Sequence, residues 1–240
     1  MGRHYLKAAI LWILLTAIGE FLALRIPLFP TAAAEEARII DSSFILLMIL
    51  GIPVFTFVLA VLIYTLSTFR SRGETPEDGP PVHGRPAVAL LWITITAGLA
   101  IYVIFNPGLK GLAELRANQR ADLVVRVEGS RWFWKVTYPE YGITAREIVL
   151  PVHRRVRFEV TSVDVVHSFW VPAFRVKIDA VPGIVTRVFV TLTQTGTFQE
   201  DYHFRLQCAE LCGLGHSMMT APVTVLEQGE FDAWVGKAKP

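Results

Sequence analysis

The chain has 240 residues, of which 52% are hydrophobic and only 18% charged, with a mean hydropathy of +0.44. Soluble domains average about a quarter charged residues, so this composition argues against an ordinary soluble protein and for a membrane. The formal net charge of +2 does not build a nucleic-acid-binding patch, because residues 119–240 carry 14 Lys+Arg against 13 Asp+Glu.

Three apolar runs fill the first half: Ala8–Leu24, Phe44–Leu66 and Ala87–Phe105. Each is close to the ~20 residues that cross a bilayer core as a helix. The second and third contain no charge, and Pro53 within the second is tolerable because neighbours can satisfy the carbonyl it frees. The first contains Glu20, is followed by Pro27, Pro30 and Ala32-Ala33-Ala34, and has two readings. Arg3 and Lys7, an apolar stretch and small residues before Glu35 match a cleavable signal peptide. Its apolar run is longer than a usual signal core, which favours a retained helix. Arg70, Arg72 and Arg85 lie between the second and third runs, and Arg3 and Lys7 precede the first. The positive-inside rule puts both regions in the cytoplasm and everything after Phe105 outside. Gly73–Pro81 reads as a polar cytoplasmic loop.

After Asn106-Pro107 the pattern changes to period two. Leu123, Val125 and Val127 alternate with Val124, Arg126 and Glu128, and Val156, Phe158 and Val160 alternate with Arg157, Glu159 and Thr161. Val185–Leu192, Phe198–Leu206 and Ala221–Leu226 are further strand-like runs between Gly and Pro punctuation. Short, regularly spaced strands predict an antiparallel sandwich or barrel, closed by a short helix over Gly229–Lys237. The expected organisation is an N-terminal helix or uncleaved signal segment over 1–40, a transmembrane hairpin over 41–108 and an outer β-domain over 119–240.

The two cysteines, Cys208 and Cys212, would close too small a loop for a useful structural staple. They belong to Cys208-Ala-Glu210-Leu-Cys212-Gly-Leu-Gly-His216-Ser-Met-Met219, which packs two thiols, an imidazole and a thioether into twelve residues. Soft sulfur with imidazole suits copper or zinc, and a weak thioether ligand favours copper; zinc would want four strong ligands. Taken singly, each residue has a bland alternative: a structural His, a disulfide, a core Met. A pair of coppers bridged by two thiolates needs a second His, and His167 in Asp164-Val-Val-His167-Ser-Phe-Trp-Val-Pro172 is the candidate.

C-x-E-x-C-x₃-H-x₂-M, preceded by D-V-x-H-S-F-x-V-P and by Asp179-Ala-Val-Pro182-Gly183, resembles cytochrome c oxidase subunit II from about Asp41 to Trp234. The resemblance implies a cupredoxin-like Greek-key β-sandwich on a two-helix hairpin, here with one extra N-terminal helix. It implies a binuclear copper-A centre of two copper ions. Cys208 and Cys212 bridge them, His167 and His216 each bind one, Met219 binds one, and Glu210 binds the other through its backbone carbonyl. It further implies a magnesium site for the Glu210 carboxylate, shared with the catalytic subunit. Gly129-Ser-Arg-Trp132-Phe-Trp134 resembles the family's aromatic motif, which makes Trp132 the residue where electrons arrive; the alternative, that the run is sandwich core, holds together with it if alternate residues face opposite ways.

The implied function is that of an oxidase subunit in a bacterial-type cell membrane, multi-pass, with its copper domain on the extracytoplasmic face. It would take electrons from a cytochrome c or small blue-copper donor and pass them to haem in catalytic subunit I, other oxidase subunits being further partners. Oxygen reduction coupled to proton translocation belongs to the partner chain, so no catalytic residue is expected here. Asp164, Asp179, Glu200 and Asp201 are candidate acids for donor docking. Two positions depart from the family: Ala89 stands where many members carry a glutamate linked to proton uptake, and Thr96 where a proline is expected. No C-x-x-C-H is present, so no haem c is fused. Competing readings are a copper-A subunit of a nitric oxide reductase, a membrane-anchored copper chaperone and an exported zinc domain. A copper-free quinol oxidase subunit would lack the ligands.

Overall fold

A computed structural model describes residues 2–70 and 84–239. Arg72, Gly73–Pro81 and His83 lie outside the described residues. The chain forms two compact units: one runs up to Leu28 and from Ser42 to Glu114, the other joins Phe29–Asp41 to the chain from Leu115 onward.

The first unit holds three helices long and apolar enough to cross a membrane. These are α1 (Gly2–Arg25), α2 (Glu35–Thr68, whose first turns belong to the second unit) and α3 (Pro86–Val103). Helix α2 starts well before its apolar run, with Glu35 and Glu36 in a first turn where negative charge suits the helix dipole. The chain leaves helical geometry at Asn106, as a residue before proline is biased to do, and resumes as α4 (Lys110–Arg116). Polar residues on α1 have partners on α2. Trp12 Nε1 donates to the Pro53 carbonyl at 2.8 Å, the Thr16 and Thr56 hydroxyls lie 2.7 Å apart, and His4 Nδ1 is 2.8 Å from the Tyr64 hydroxyl. Small residues let such helices approach: a Cβ on Gly19 would come within 2.8 Å of Ile52 Cγ2.

The second unit is a two-sheet sandwich. Its strands are β1 (Leu123–Ser130), β2 (Phe133–Tyr138), β3 (Ile143–Ala145), β4 (Ile148–Pro151), β5 (Arg155–Ser162), β6 (His167–Val171), β7 (Val176–Ala180), β8 (Thr186–Thr191), β9 (Gly196–Thr197), β10 (Arg205–Cys208) and β11 (Thr220–Leu226), followed by α5 (Gln228–Ala238). One sheet has the order β3-β2-β1-β5-β8; the other runs β4-β11-β10-β6-β7, with β9 against β11. The alternation seen in the sequence is the inward face: Val125, Val127, Val156, Phe158 and Val160 are all fully buried. Phe158 and Phe169 join the sheets with ring centroids 4.9 Å apart.

Two expectations change. The sheets are not purely antiparallel, since β1 pairs with β5 and β4 with β11 in parallel. Period two reports which face is buried, not the direction of the neighbouring strand; here intervening strands provide the crossovers that parallel pairs need. The run Phe198–Leu206 is strand only from Arg205. Thr197–Phe204 folds into turns closed by Asp201 N–H to Thr197 O at 3.0 Å and Phe204 N–H to Asp201 O at 2.9 Å. Glu200 and Asp201 favour that turn over an extended ladder.

Phe29–Asp41, placed by sequence with the first transmembrane segment, is built into the sandwich unit. Ala33 N–H donates to Ala173 O at 2.9 Å, and Thr193 N–H donates to Ala33 O at 3.0 Å. Ala34 bridges to Leu192, and Ala33, Ala34 and Ala37 are fully buried. Arg155 donates to the Glu36 carboxylate at 2.9 Å, while Arg175 holds Asp41 through two nitrogens, at 2.8 and 2.9 Å. Arg175 also donates to the Pro30 and Thr31 carbonyls. This strap, which ends in the first turns of α2, completes the core.

Candidate metal centre

Two stretches converge at one end of the second sheet. His167 is the first residue of β6; Cys208 is the last of β10, and its loop returns into β11 at Thr220. The loop is pinned on both sides, by Cys208 N–H to Met219 O at 3.0 Å and by Ala209 N–H to Ser168 O at 2.9 Å. Turn hydrogen bonds from His216 N–H to Gly213 O at 3.1 Å and from Met219 N–H to His216 O at 3.2 Å fold the remainder back over the thiols.

The donor atoms meet. Cys208 and Cys212 Sγ are 3.8 Å apart, His167 Nδ1 is 3.8 Å from Cys208 Sγ, and His216 Nδ1 is 3.6 Å from Cys212 Sγ. Met219 Sδ lies 3.9 Å from Cys212 Sγ, and the Cys208 thiol donates to the Glu210 carbonyl at 3.1 Å. Among the described residues, His167, Cys208 and Cys212 bring ligand atoms within 4.8 Å of one another. All six predicted positions are therefore gathered, with the Glu210 backbone inward and its side chain exposed. His167 and Met219 are fully buried, and both cysteines nearly so. Burial, followed by the hydrogen bond and charge of Cys208, pushes the Cys212 thiol up to about 11. A thiol so reluctant to ionise needs a cation to become a thiolate.

Trp132 lies over this loop. Its Nε1 donates to the Cys212 carbonyl at 3.2 Å, and the residue remains 39% exposed. Gly215 makes the contact possible: a Cβ there would come within 2.4 Å of the Trp132 ring. Trp134 faces inward, fully buried, with Nε1 donating to Met219 O at 3.4 Å and its ring edge-on to His167 at 6.0 Å. Alternate residues of the aromatic motif thus take alternate sides.

Asp164, read from sequence as a docking acid, is an exposed residue whose carboxylate also reaches the site. Its Oδ1 is 2.9 Å from His167 Nε2, and its Oδ2 accepts from the Arg131 N–H at 2.8 Å. Burial alone would raise its pKa; the hydrogen bonds from His167, Val165 N–H and Arg131 N–H outweigh it and bring it down to about 2. One carboxylate therefore fixes both the His167 imidazole, leaving Nδ1 toward the thiols, and the turn that presents Trp132. The Asp-x-x-His spacing was the available signal for this, and sequence reasoning did not use it. Of the other acids, Asp179 and Glu200 are exposed. Asp201 accepts from His203 at 2.7 Å and is lowered despite burial that opposes it, by Thr31, His203 and its backbone N–H.

The donor set fits copper better than zinc. Two imidazole Nδ1 atoms, a thioether and a carbonyl lie against the two thiols, and a buried thioether has no use to zinc.

Known proteins resemble this chain over most of its length. Residues 142–227 match the family description "Cytochrome C oxidase subunit II, periplasmic domain". The chain belongs to the cytochrome c oxidase subunit II family. Across its length it is 29% identical to cytochrome c oxidase subunit 2 of Thermostichus vulcanus, over 86% of this chain and 77% of that protein. It is 32% identical to the subunit 2 of Alkalihalophilus pseudofirmus, over 83% of this chain and 58% of that relative. The crystal structure of the periplasmic domain of the Bradyrhizobium japonicum subunit is 35% identical, covering 50% of this chain and 95% of that one, with a TM-score of 0.46. The sandwich is accordingly the cupredoxin-like domain of this family, and the three apolar helices are long enough to cross a membrane.

Proposed function

We propose that this subunit II chain accepts electrons at a binuclear copper-A centre and passes them toward haem in the catalytic subunit of a terminal oxidase. The observation that carries the reading is the meeting of Cys208, Cys212, His167, His216, Met219 and the Glu210 carbonyl beneath Trp132. Bound there, two coppers would supply a one-electron redox couple shared through both thiolates. The protein's own part is to hold the six donors on loops of a rigid sheet, to exclude water with Trp134 and Phe169, and to orient His167 through Asp164. Trp132 joins the outer surface to Cys212 in a single hydrogen bond, so an electron arriving at the indole crosses no solvent gap. The outward Glu210 carboxylate is free for a magnesium ion shared with catalytic subunit I. The electron donor is a separate cytochrome c or small blue-copper protein, with the exposed Asp179 and Glu200 as docking acids. Arg3, Lys7, Arg70, Arg72 and Arg85 orient the helices with the β-unit on the extracytoplasmic face of a bacterial-type membrane.

The test is rapid mixing of a reduced donor with the purified oxidase. Trp132→Ala should slow donor oxidation at least tenfold while leaving the copper spectrum and haem reoxidation unchanged. Equal rates in wild type and variant would contradict this role of Trp132 in the electron path.

A further inference from the structure

Ala32-Ala33-Ala34 is the one place where the sequence offers a signal-peptidase-like run of small residues. We infer that the chain is not cut there, and that α1 remains covalently joined to the copper-binding unit by a strap, Phe29–Asp41, that is itself part of that unit.

The small residues are used by the fold. Ala33 and Ala34 are fully buried, and their backbones meet Ala173, Thr193 and Leu192. Small side chains at these positions are what the close approach of strap and sandwich requires, which gives them a structural reason unrelated to a protease. A cut made during export, before folding, would remove Pro30, Thr31 and Ala33 from the finished unit. Arg175 would then lose two of its carbonyl acceptors, and the Ala173 carbonyl and Thr193 N–H would lose the partners they have in the core. Buried backbone groups without partners are rare in native structures. Arg175 also fixes the turn that follows β6, the strand that begins with His167, so the strap supports the scaffold of a copper ligand from outside the sandwich.

The helix before the strap carries independent evidence of retention. His4, Trp12 and Thr16 are each hydrogen-bonded to α2, and Gly19 lies against Ile52. A segment discarded after export has no need of four matched contacts with the helix that stays.

The experiment is a tryptic digest of the purified oxidase, read by mass spectrometry. Ile26–Arg38 is a single tryptic peptide that spans all three alanines, and Val188–Arg205 from the sandwich serves as internal standard. Recovery of Ile26–Arg38 in the same molar amount as Val188–Arg205, with no mature N-terminus at Ala33, Ala34 or Glu35, is the expected result. Loss of Ile26–Arg38 with Val188–Arg205 present, and an N-terminus at one of those residues by Edman sequencing, would overturn the inference. The outcome does not depend on whether copper binds.

Discussion

Two segments of similar length sustain the copper-binding unit, and they differ in how they declare themselves. Cys208–Met219 names its chemistry in its residue types: two thiols, an imidazole and a thioether at fixed spacing, surrounded by glycines that let Trp132 lie down on the loop. Phe29–Asp41 names nothing. It has one proline, alanines and four charged residues, yet it is held by two buried or half-buried ion pairs and by backbone bonds to Thr193, just past β8, and to the turn after β6. The first segment's role follows from local composition; the second's exists only because residues more than 100 positions later come to meet it. Function is written locally at a metal loop, whereas support for that loop is distributed over the fold.

The contrast can be broken at either end. The largest effect is expected from Cys212→Ser, which removes one bridging thiol. The binuclear signal should vanish, with copper content falling to one ion or none per chain by metal analysis, while the circular dichroism of the sandwich is kept. Next is Arg175→Leu, which leaves Asp41 half-buried without its cation. Breaking such a pair costs about 3 kcal/mol, read as a melting temperature lower by on the order of 10 °C. A melting curve unchanged by Arg175→Leu would mean that the strap is ornamental.

How far the sequence reached follows the same division. The apolar runs predicted the three long helices because a continuous apolar run needs no partner to be recognised. The period-two stretches predicted β1, β5, β8 and β11 because one face of each is buried. The parallel pairing of β1 with β5 left no mark, since Leu123 and Val156 look alike whichever way their strands run. Phe198–Phe204 was misread as strand because its aromatics alternate, although Glu200 and Asp201 bend it into turns. At the site, the six candidate positions are legible as motifs, and the structure brings them together. The second partnership of Asp164, an exposed acid that also meets the imidazole three residues on, leaves no mark in a one-dimensional reading.

Asp164→Asn sharpens that last point. The amide can no longer act as the charged acceptor that orients His167, and loss of such an outer partner costs 10- to 100-fold in metal affinity. Competition with a copper chelator should show weakening in that range, whereas a purely surface acid would show none. Met219→Leu should do less. The swap conserves volume in a fully buried position, so stability should fall by less than about 1.5 kcal/mol. The copper spectrum and reduction potential should nonetheless shift, because a weak soft donor is lost.

The smallest effect is expected far from the metal, on the outer face of the first sheet. Glu159 sits among Arg126, Arg157 and Arg187 at 3.1, 3.1 and 3.8 Å. Burial opposes ionisation there, but the Arg126 hydrogen bond and the charges of the three guanidiniums hold its pKa below the usual carboxylate value. A depressed carboxylate contributes stability that is present above its unfolded pKa, about 4.3, and is lost as pH falls through the folded value. The acid limb of the stability curve should therefore be shallower below about pH 4.3 in Glu159→Gln than in the wild type, whose small advantage is complete at pH 7 and shrinks as the pH falls.

The central claim is that the Cys208–Met219 loop and His167 hold two coppers as one electronic unit. Electron paramagnetic resonance of the purified, air-oxidised oxidase containing the full chain tests it most directly. The predicted spectrum shows one unpaired electron shared equally by two copper nuclei, in a purple protein with two copper ions per copy of this chain beyond those of the catalytic subunit. A spectrum of a single isolated copper, or a colourless β-unit holding zinc, would contradict it.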